Sequence, residues 1–382
     1  MRWEDARQQS HAAPKALTAC ELPLDAALGC TLAERLWSRN PLPPFDNAAM
    51  DGYAIRGPGP WRVVGHVLAG APPPAPLVDG QALEVATGAA VPDGCEGVLP
   101  AEDAVRVDGT VTGEAPRGRH VRRSGEECSA LTALLPAGTP VTSTVLGLAA
   151  AVGWDVLSVH PRPRVAVAVG GDELLTRGLA GQGRIRDALS PLLPGVLRSL
   201  DAEVAGVRCL GDDPEATRAL LAHVEADVIV TTGGTAGGPA DHLRGALRAV
   251  GATVVVESVD VRPGHPVLLA RLPSGAWLAG LPGNPLAALA GVVTVLGPLR
   301  EGLTGRARAR PGRAVVSAAL AAHPSSTCLI PVRRRDGVAT PTGFGAPARG
   351  AALADGLAVV PPGHDIDAGV TVGVLDLPGS SR

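Results

Sequence analysis

Several short segments of this chain concentrate residue types that bind oxyanions and divalent cations. PLPPFDNAAMDGYAIRG (residues 41–57) places Asp46, Asn47 and Asp51, two carboxylates and an amide, within six positions, beside a glycine that permits tight backbone geometry. It also holds the only tyrosine, Tyr53, and one of the two phenylalanines, Phe45. A turn-rich loop with Asx hydrogen bonds has the same composition, so spacing alone leaves both readings open. In ATGAAVPDGCEGVLPAED (86–103), Thr87 and Gly88 follow a strand-like run. A hydroxyl and free backbone N–H groups there can hold a phosphate or another oxyanion, although a plain hairpin also fits. VAVAVGGDEL (165–174) runs from an apolar strand into Gly170, Gly171, Asp172 and Glu173. Acids at the carboxyl end of a parallel strand are placed for metal or substrate contact, and they also arise as helix N-caps.

DVIVTTGGTAGGPADHLRGAL (227–247) gives the strongest signal. Three threonines and four glycines lie between an apolar strand and a helix expected to start near Asp241. That is a phosphate-loop design, with exposed N–H groups, no Cβ in the way and the positive helix end aimed at the ligand. It matches neither G-x-x-x-x-G-K-[ST] nor G-x-G-x-x-G, so an ATPase loop or a dinucleotide fold is not supported. VRPGHP (261–266) and LAGLPGNPLAALAGVV (278–293) complete the set; in the second, rigid turn residues let the backbone at Gly283 and Asn284 approach a ligand.

The elements that must position these groups follow from composition and pattern. With 382 residues, 46% hydrophobic and 19% charged, the chain can bury more than one core, and two to four domains are expected. The net charge of -3 gives no footprint for a polyanion despite a local cluster of Arg117, Arg119, Arg122 and Arg123, so no nucleic-acid partner is expected. Six scattered cysteines without a C-x-x-C pair read as reduced thiols, and the charged N-terminus and interrupted apolar runs predict neither a signal peptide nor a membrane span. A cytoplasmic protein is the expectation. Lys15 is the only lysine, so arginine elsewhere reflects composition first.

Leu22, Leu24, Ala27, Leu28 and Leu32 predict a helix beginning near Asp25. WRVVGHV, ALEVAT and GVLP predict a small β-rich insertion. From Arg164, apolar strands alternate with amphipathic helices, the pattern of an α/β domain with a parallel sheet covered on both faces. AVVSAAL, CLIPVRR, GLAVVP and TVGVLDL predict a small β-barrel or sandwich at the C-terminal end. The fold class is therefore α/β plus β and multidomain. The expected division is 1–40 with 130–160 as a helical and linker domain, 41–129 as the insertion, 161–300 as the α/β domain and 301–382 as the barrel.

Taken in order, FDN-x-x-MDGYA, TGA-x-x-P, GDEL, TTGG followed by an Asp, PG-x-P and LPGNP resemble the molybdopterin molybdenumtransferase family, of the MoeA and gephyrin E-domain type, across nearly the whole chain. The resemblance implies an elongated homodimer of four-domain subunits, with the active site between the insertion of one subunit and the molybdopterin-binding α/β domain of the other. It implies that adenylylated molybdopterin and molybdate give molybdenum cofactor and AMP with Mg²⁺. Molybdopterin adenylyltransferase and apo-molybdoenzymes are the implied protein partners. Carried onto this chain, the catalytic residues are Asp51, Thr87, Glu173 and Asp241, with Glu173 and Asp241 on the metal. The pterin or nucleotide contacts are Gly233, Gly234, Gly238, Arg262, His265, Pro282, Gly283, Asn284 and Pro285.

The departures from the family pattern are specific. Val169 and Gly170 replace a Ser-Thr pair, Ala188 and Leu189 a Ser-Asn pair, Ala48 and Ala236 a serine each, and Pro239 an aspartate. Arg262 and His265 replace two lysines, and His265 cannot supply the same constant charge. Each lost neutral hydrogen bond is worth roughly 0.5–1.5 kcal/mol, so the alternative expectation is a carrier or regulator that binds molybdopterin or the finished cofactor with little turnover.

Overall fold

The computed structural model describes residues 1–72, 74–235, 242–342 and 347–380. The apolar runs after Arg164 build a six-stranded mixed sheet in the order Glu203–Leu210, Arg164–Gly170, Val228–Thr232, Trp277–Leu281, Leu268–Arg271, Thr253–Val256. The first four strands are parallel, as the alternating pattern predicts. The last two are antiparallel, because the turn at Gly275 folds Leu268–Arg271 back on Trp277–Leu281 as a hairpin.

Both faces of the sheet are covered, which is why its central strands carry no polar alternation. On one face Val165, Val167, Val228 and Val230 pack against Leu193 and Leu197 of helix Leu189–Ser199 and against Leu289 and Leu296 of the run Pro285–Leu303. On the other, Ile229 and Leu278 pack against Leu220 of helix Pro214–His223 and Leu247 of helix Leu243–Ala249. The run Pro285–Leu303 has the length and apolarity of a membrane span, yet 83% of it is buried in this core, so its apolarity serves packing.

Before the α/β sheet lie two β-rich parts. The insertion sheet runs Gly97–Pro100, Gly52–Arg56, Gln81–Val85, Trp61–Val67, Thr110–Thr112, Val105–Val107, with Ala54, Leu83 and Val98 inside. Gly52 is required there, because a Cβ would run into the carbonyl of Leu99 on the neighbouring strand. The helix predicted near Asp25 is absent. Cys20–Pro23 and Thr31–Leu32 instead pair with opposite edges of Val156–His160, and Gly29 turns between them at φ +80°. Leu22, Leu24, Ala27 and Leu32 are still the packed residues, against Val145 and Leu157, but turn and strand backbone places them. A helix that patterning did not predict, Trp3–Ala12, lies against the run Pro285–Leu303. Trp3 Nε1 donates to Thr294 Oγ1 at 3.0 Å and pins it there.

At the C-terminal end, Gly312–Val316, Thr327–Arg335, Val338–Pro341, Gly356–Val360 and Thr371–Asp376 form a barrel, closed because Thr327–Arg335 pairs with both Val338–Pro341 and Gly356–Val360. Val261–Arg262 adds to it in parallel beside Thr327 and Cys328.

One guanidinium ties these parts together. Arg306 donates to Thr31 Oγ1 (2.7 Å), to the carbonyls of Gly29 (3.0 Å) and Cys30 (3.1 Å), and to Asp201 Oδ2 (2.9 Å). The same carboxylate oxygen accepts from Arg300 at 2.6 Å. Replacing Arg306 by leucine leaves a hydroxyl and two carbonyls without this donor and Asp201 with Arg300 alone, in a site where Arg306 is only 9% exposed. The expected loss is about 3–5 kcal/mol, read as a lower urea midpoint in equilibrium unfolding.

Candidate active site

The parallel strands Arg164–Gly170, Val228–Thr232 and Trp277–Leu281 end on one edge of the sheet, and the GDEL, TTGG and LPGNP segments leave from it. After the first strand, Gly171 sits at φ +134°, and a Cβ there would collide with the carboxylate of Glu173, which lies over it. The loop is then stitched down. Ile185 N–H donates to the Glu173 carbonyl (2.9 Å), Leu174–Leu175 pairs with Ile185–Arg186, and Arg184 Nη2 donates to the carbonyls of Asp172 and Leu174. The Glu173 carboxylate is left exposed on a braced loop, while Asp172 Oδ1 accepts the Asp212 N–H at 3.3 Å and serves as part of the brace.

After Val228–Thr232 the chain turns through Gly233 (φ +78°) and Gly234 (φ +60°), left-handed conformations that suit glycine, and Gly233 N–H donates to the Leu281 carbonyl. Thr231 and Thr232 are 6% and 3% exposed and point to opposite faces of the sheet, as successive strand residues must. Neither hydroxyl has a hydrogen-bond partner among the described residues, and Ser190 Oγ, on the first turn of helix Leu189–Ser199, has none either. Buried polar groups are normally satisfied, so these hydroxyls retain hydrogen-bonding capacity that no described residue uses. Gly238 and Asp241, together with Ala236 and Pro239, lie outside the described residues.

The remaining predicted contacts divide by role. Asn284 Oδ1 accepts the Ala287 N–H at 3.1 Å and caps the helix that Pro285 begins, so its side chain serves the fold. Pro282 is buried, and Gly283 has open space where a Cβ would stand. His265 Nδ1 donates to the Val259 carbonyl at 2.8 Å, which leaves Nε2 for a ligand. Arg262 is exposed and precedes a cis peptide to Pro263. The departures at Val169 and Leu189 have a packing explanation: both are core residues, 1% and 4% exposed. Asp187, two residues before Leu189, holds the helix start by accepting from Leu189 and Ser190 N–H.

In the insertion, Asp51 Oδ1 accepts from both the backbone N–H (2.6 Å) and the hydroxyl (2.7 Å) of Thr87. The backbone bond first and the hydroxyl second hold this carboxyl below its ordinary range. Asp46 is spent on structure, bound by Ser124 N–H and Arg123. Asn47 is buried, with Nδ2 donating to the Phe45 carbonyl. Asp51 and Thr87 thus form one group in the insertion, while Glu173, Thr231 and Thr232 lie on segments of the α/β domain; no hydrogen bond or ion pair joins the two sets among the described residues.

Sequence reasoning missed Asp212 and His242, which line a slot with Thr231, Gly233 and Gly234. Asp213-Pro214 reads as an N-cap, and Asp213 does accept the Glu215 N–H; the acid just before it carried no pattern of its own. No group of three or more metal-ligating side chains is assembled among the described residues. Mg²⁺ does not require one, since it is bound through one or two carboxylates, waters and substrate phosphates, and an exposed Glu173 on a fixed loop suits that mode.

Comparison with known proteins agrees with this geometry. Residues 1–153 match the family described as MoeA N-terminal region (domain I and II), and residues 166–301 match the probable molybdopterin binding domain. Over 327 residues the chain is 36% identical to molybdopterin molybdenumtransferase 2 of Mycobacterium tuberculosis, covering 79% of this chain and 80% of that one. It is 33% identical to the molybdopterin molybdenumtransferase of Synechococcus elongatus, over 70% and 71% of the two chains. The crystal structure of a molybdopterin biosynthesis MoeA protein from Pyrococcus horikoshii superposes over 99% of both chains with a TM-score of 0.77 at 26% identity. With two family matches spanning both halves and a full-length structural counterpart, this chain belongs to the molybdopterin molybdenumtransferase family.

Proposed function

We propose that the protein transfers molybdenum from molybdate to adenylylated molybdopterin, releasing AMP and yielding molybdenum cofactor. The observation that carries the reading is the buried hydroxyls without partners among the described residues, Thr231 and Thr232 at the end of Val228–Thr232 and Ser190 at the start of helix Leu189–Ser199, in the domain that also presents Glu173. Such donors suit the oxyanions of molybdate and of a phosphoanhydride, and in a water-poor site they act without reorganisation. They also supply hydroxyls where Val169, Gly170 and Leu189 do not. That so many relatives are named as transferases supports turnover over a silent carrier.

Each group has a role in this reading. Glu173, with Asp241, would hold Mg²⁺, which when bound neutralises phosphate charge. Arg262 and His265 Nε2 face anionic parts of the substrate. Asp51, with Oδ1 saturated by Thr87, keeps Oδ2 free to orient a water or a substrate proton. Asp51 stands on the insertion sheet and Glu173 on the α/β domain, so the reading includes a homodimer in which the insertion of one subunit completes the α/β edge of the other. The division into 1–40 with 130–160, 41–129, 161–300 and 301–382 belongs to the same reading. So do a cytoplasmic location, a supply of substrate from molybdopterin adenylyltransferase and delivery to apo-molybdoenzymes.

Purified protein incubated with adenylylated molybdopterin, molybdate and Mg²⁺ should release AMP; release no faster than in a protein-free control would end the proposal. Glu173→Ala should slow release by at least about a hundredfold with unchanged thermal unfolding. The Asp51 carboxyl offers a pH test. Because its folded pKa is lowered, its charged contribution is complete above the ordinary value of 3.8 and is lost only as pH falls through the lowered value. In Thr87→Val the backbone bond remains and the hydroxyl bond goes, so carboxyl ¹³C NMR should show the Asp51 midpoint moving up part of the way toward 3.8. An unmoved midpoint would show that the hydroxyl is not its partner in solution.

A further inference from the structure

The loop that presents Glu173 is strapped by one side chain. Arg184 Nη2 donates to the carbonyl of Asp172 at 3.2 Å and to that of Leu174 at 3.1 Å, the peptide oxygens on either side of Glu173. The carbonyl of Glu173 itself accepts the Ile185 N–H at 2.9 Å, and that of Leu175 accepts from Asp187 N–H and Arg186 Nη1. The peptide oxygens of residues 172–175 are therefore all held by the segment 184–187. A guanidinium next to an acidic residue ordinarily forms a forked ion pair with its carboxylate. Arg184 forms none among the described residues, and the Glu173 carboxylate is left unpaired.

The backbone of Arg184 is shaped for this reach. Gly181 and Arg184 exchange N–H···O bonds at 3.2 and 3.1 Å around Gln182 (φ +54°) and Gly183 (φ +82°), a two-residue hairpin turn with left-handed backbone at both central positions. Gln182 lacks the freedom of a glycine, so the turn keeps a residue with a side chain in a sparsely populated region. On the facing segment, Gly171 at φ +134° leaves room for the Glu173 carboxylate to lie over it. Glu173 and Arg184 are both exposed, so water can replace the two bonds of Arg184 when the arginine is removed, and folding depends little on them.

We propose that Arg184 is a positioning residue, which fixes the direction of the Glu173 carboxylate while leaving that carboxylate unpaired for the reaction; the proposal rests on the reading that Glu173 serves the transfer. One nitrogen of Arg184 makes both bonds, so a lysine ammonium with its three donors can make them as well. An arginine that worked as a planar fork could not be replaced in this way. Acting through Glu173 alone, Arg184 contributes nothing to the rate once the Glu173 carboxylate is gone.

The test is a double-mutant cycle on the full chain, read by AMP release and by amide hydrogen exchange over residues 171–187. Arg184→Met should lower kcat about tenfold, with KM for adenylylated molybdopterin and the melting temperature unchanged, because a misdirected reacting group costs rate rather than binding. Arg184→Lys should restore most of that rate. In a Glu173→Ala background, Arg184→Met should cost no further rate. Exchange of the Ile185 amide should quicken in Arg184→Met and return to the wild-type rate in Arg184→Lys. Losses that multiply in the double variant, a raised KM with unchanged kcat, a lowered melting temperature that lysine does not repair, or a wild-type rate in Arg184→Met would each overturn the assignment. Quickened exchange in Arg184→Met of a protein that releases no AMP would remove the transferase reading and leave the strap. AMP release indifferent to Arg184 would do the reverse.

Discussion

Arg306 and Asp201 tie the N-terminal module to the α/β domain, whose buried cores are separate. The carboxylate of Asp201 follows the helix Leu189–Ser199 and accepts from Arg300 at the end of the run Pro285–Leu303 and from Arg306 just beyond it. Arg306 continues to the Gly29–Thr31 turn of the N-terminal module. Burial is expensive for these groups, and it pushes Arg300 down to about 10, with the neighbouring charge of Arg306 adding to the shift. A buried network of this kind adds little net stability over apolar packing, but each member becomes hard to remove once the others are in place. What it contributes is registration. The turn at Gly29, the helix end at Asp201 and the exit toward the barrel are fixed relative to one another by planar donors with preferred directions.

With the base of the α/β domain fixed, its opposite edge can be left unsatisfied. The strand Val228–Thr232 is buried along its whole length, and its last two side chains are hydroxyls rather than hydrocarbons. The glycines around it remove steric bulk, and Glu173 stands on a loop braced by Arg184 and Ile185. Rigidity below and open hydrogen-bonding capacity above are the conditions under which preorganised donors act on developing charge.

Much of this was legible in the residues because the signals were local. Alternating apolar strands and helices announced the α/β sheet, and Gly-rich text after Thr232 announced its ligand edge. The small barrel followed from short strands between Gly, Pro and Asp turns. Non-local features were not legible. Cys20–Pro23 became a strand because Val156–His160, far along the chain, supplies its partner, and no window around Asp25 contains that information. Asn284 looked like a ligand contact, but its amide oxygen is taken by the Ala287 N–H. Asp212 was overlooked because its neighbour Asp213 explained the helix start, leaving nothing in the pattern to distinguish the acid that faces the slot.

The short strand Val261–Arg262 belongs by sequence to the α/β half of the chain, yet its ladder partner is Thr327–Cys328 of the barrel. His265, a few residues on, is anchored to the Val259 carbonyl on the other side of that strand. The loop that carries Arg262 is therefore held by the barrel's ladder. Val259 and Val261 are at the same time packed in the core of the α/β domain, so the segment that carries Arg262 is a seam that neither domain can shift without disturbing the other.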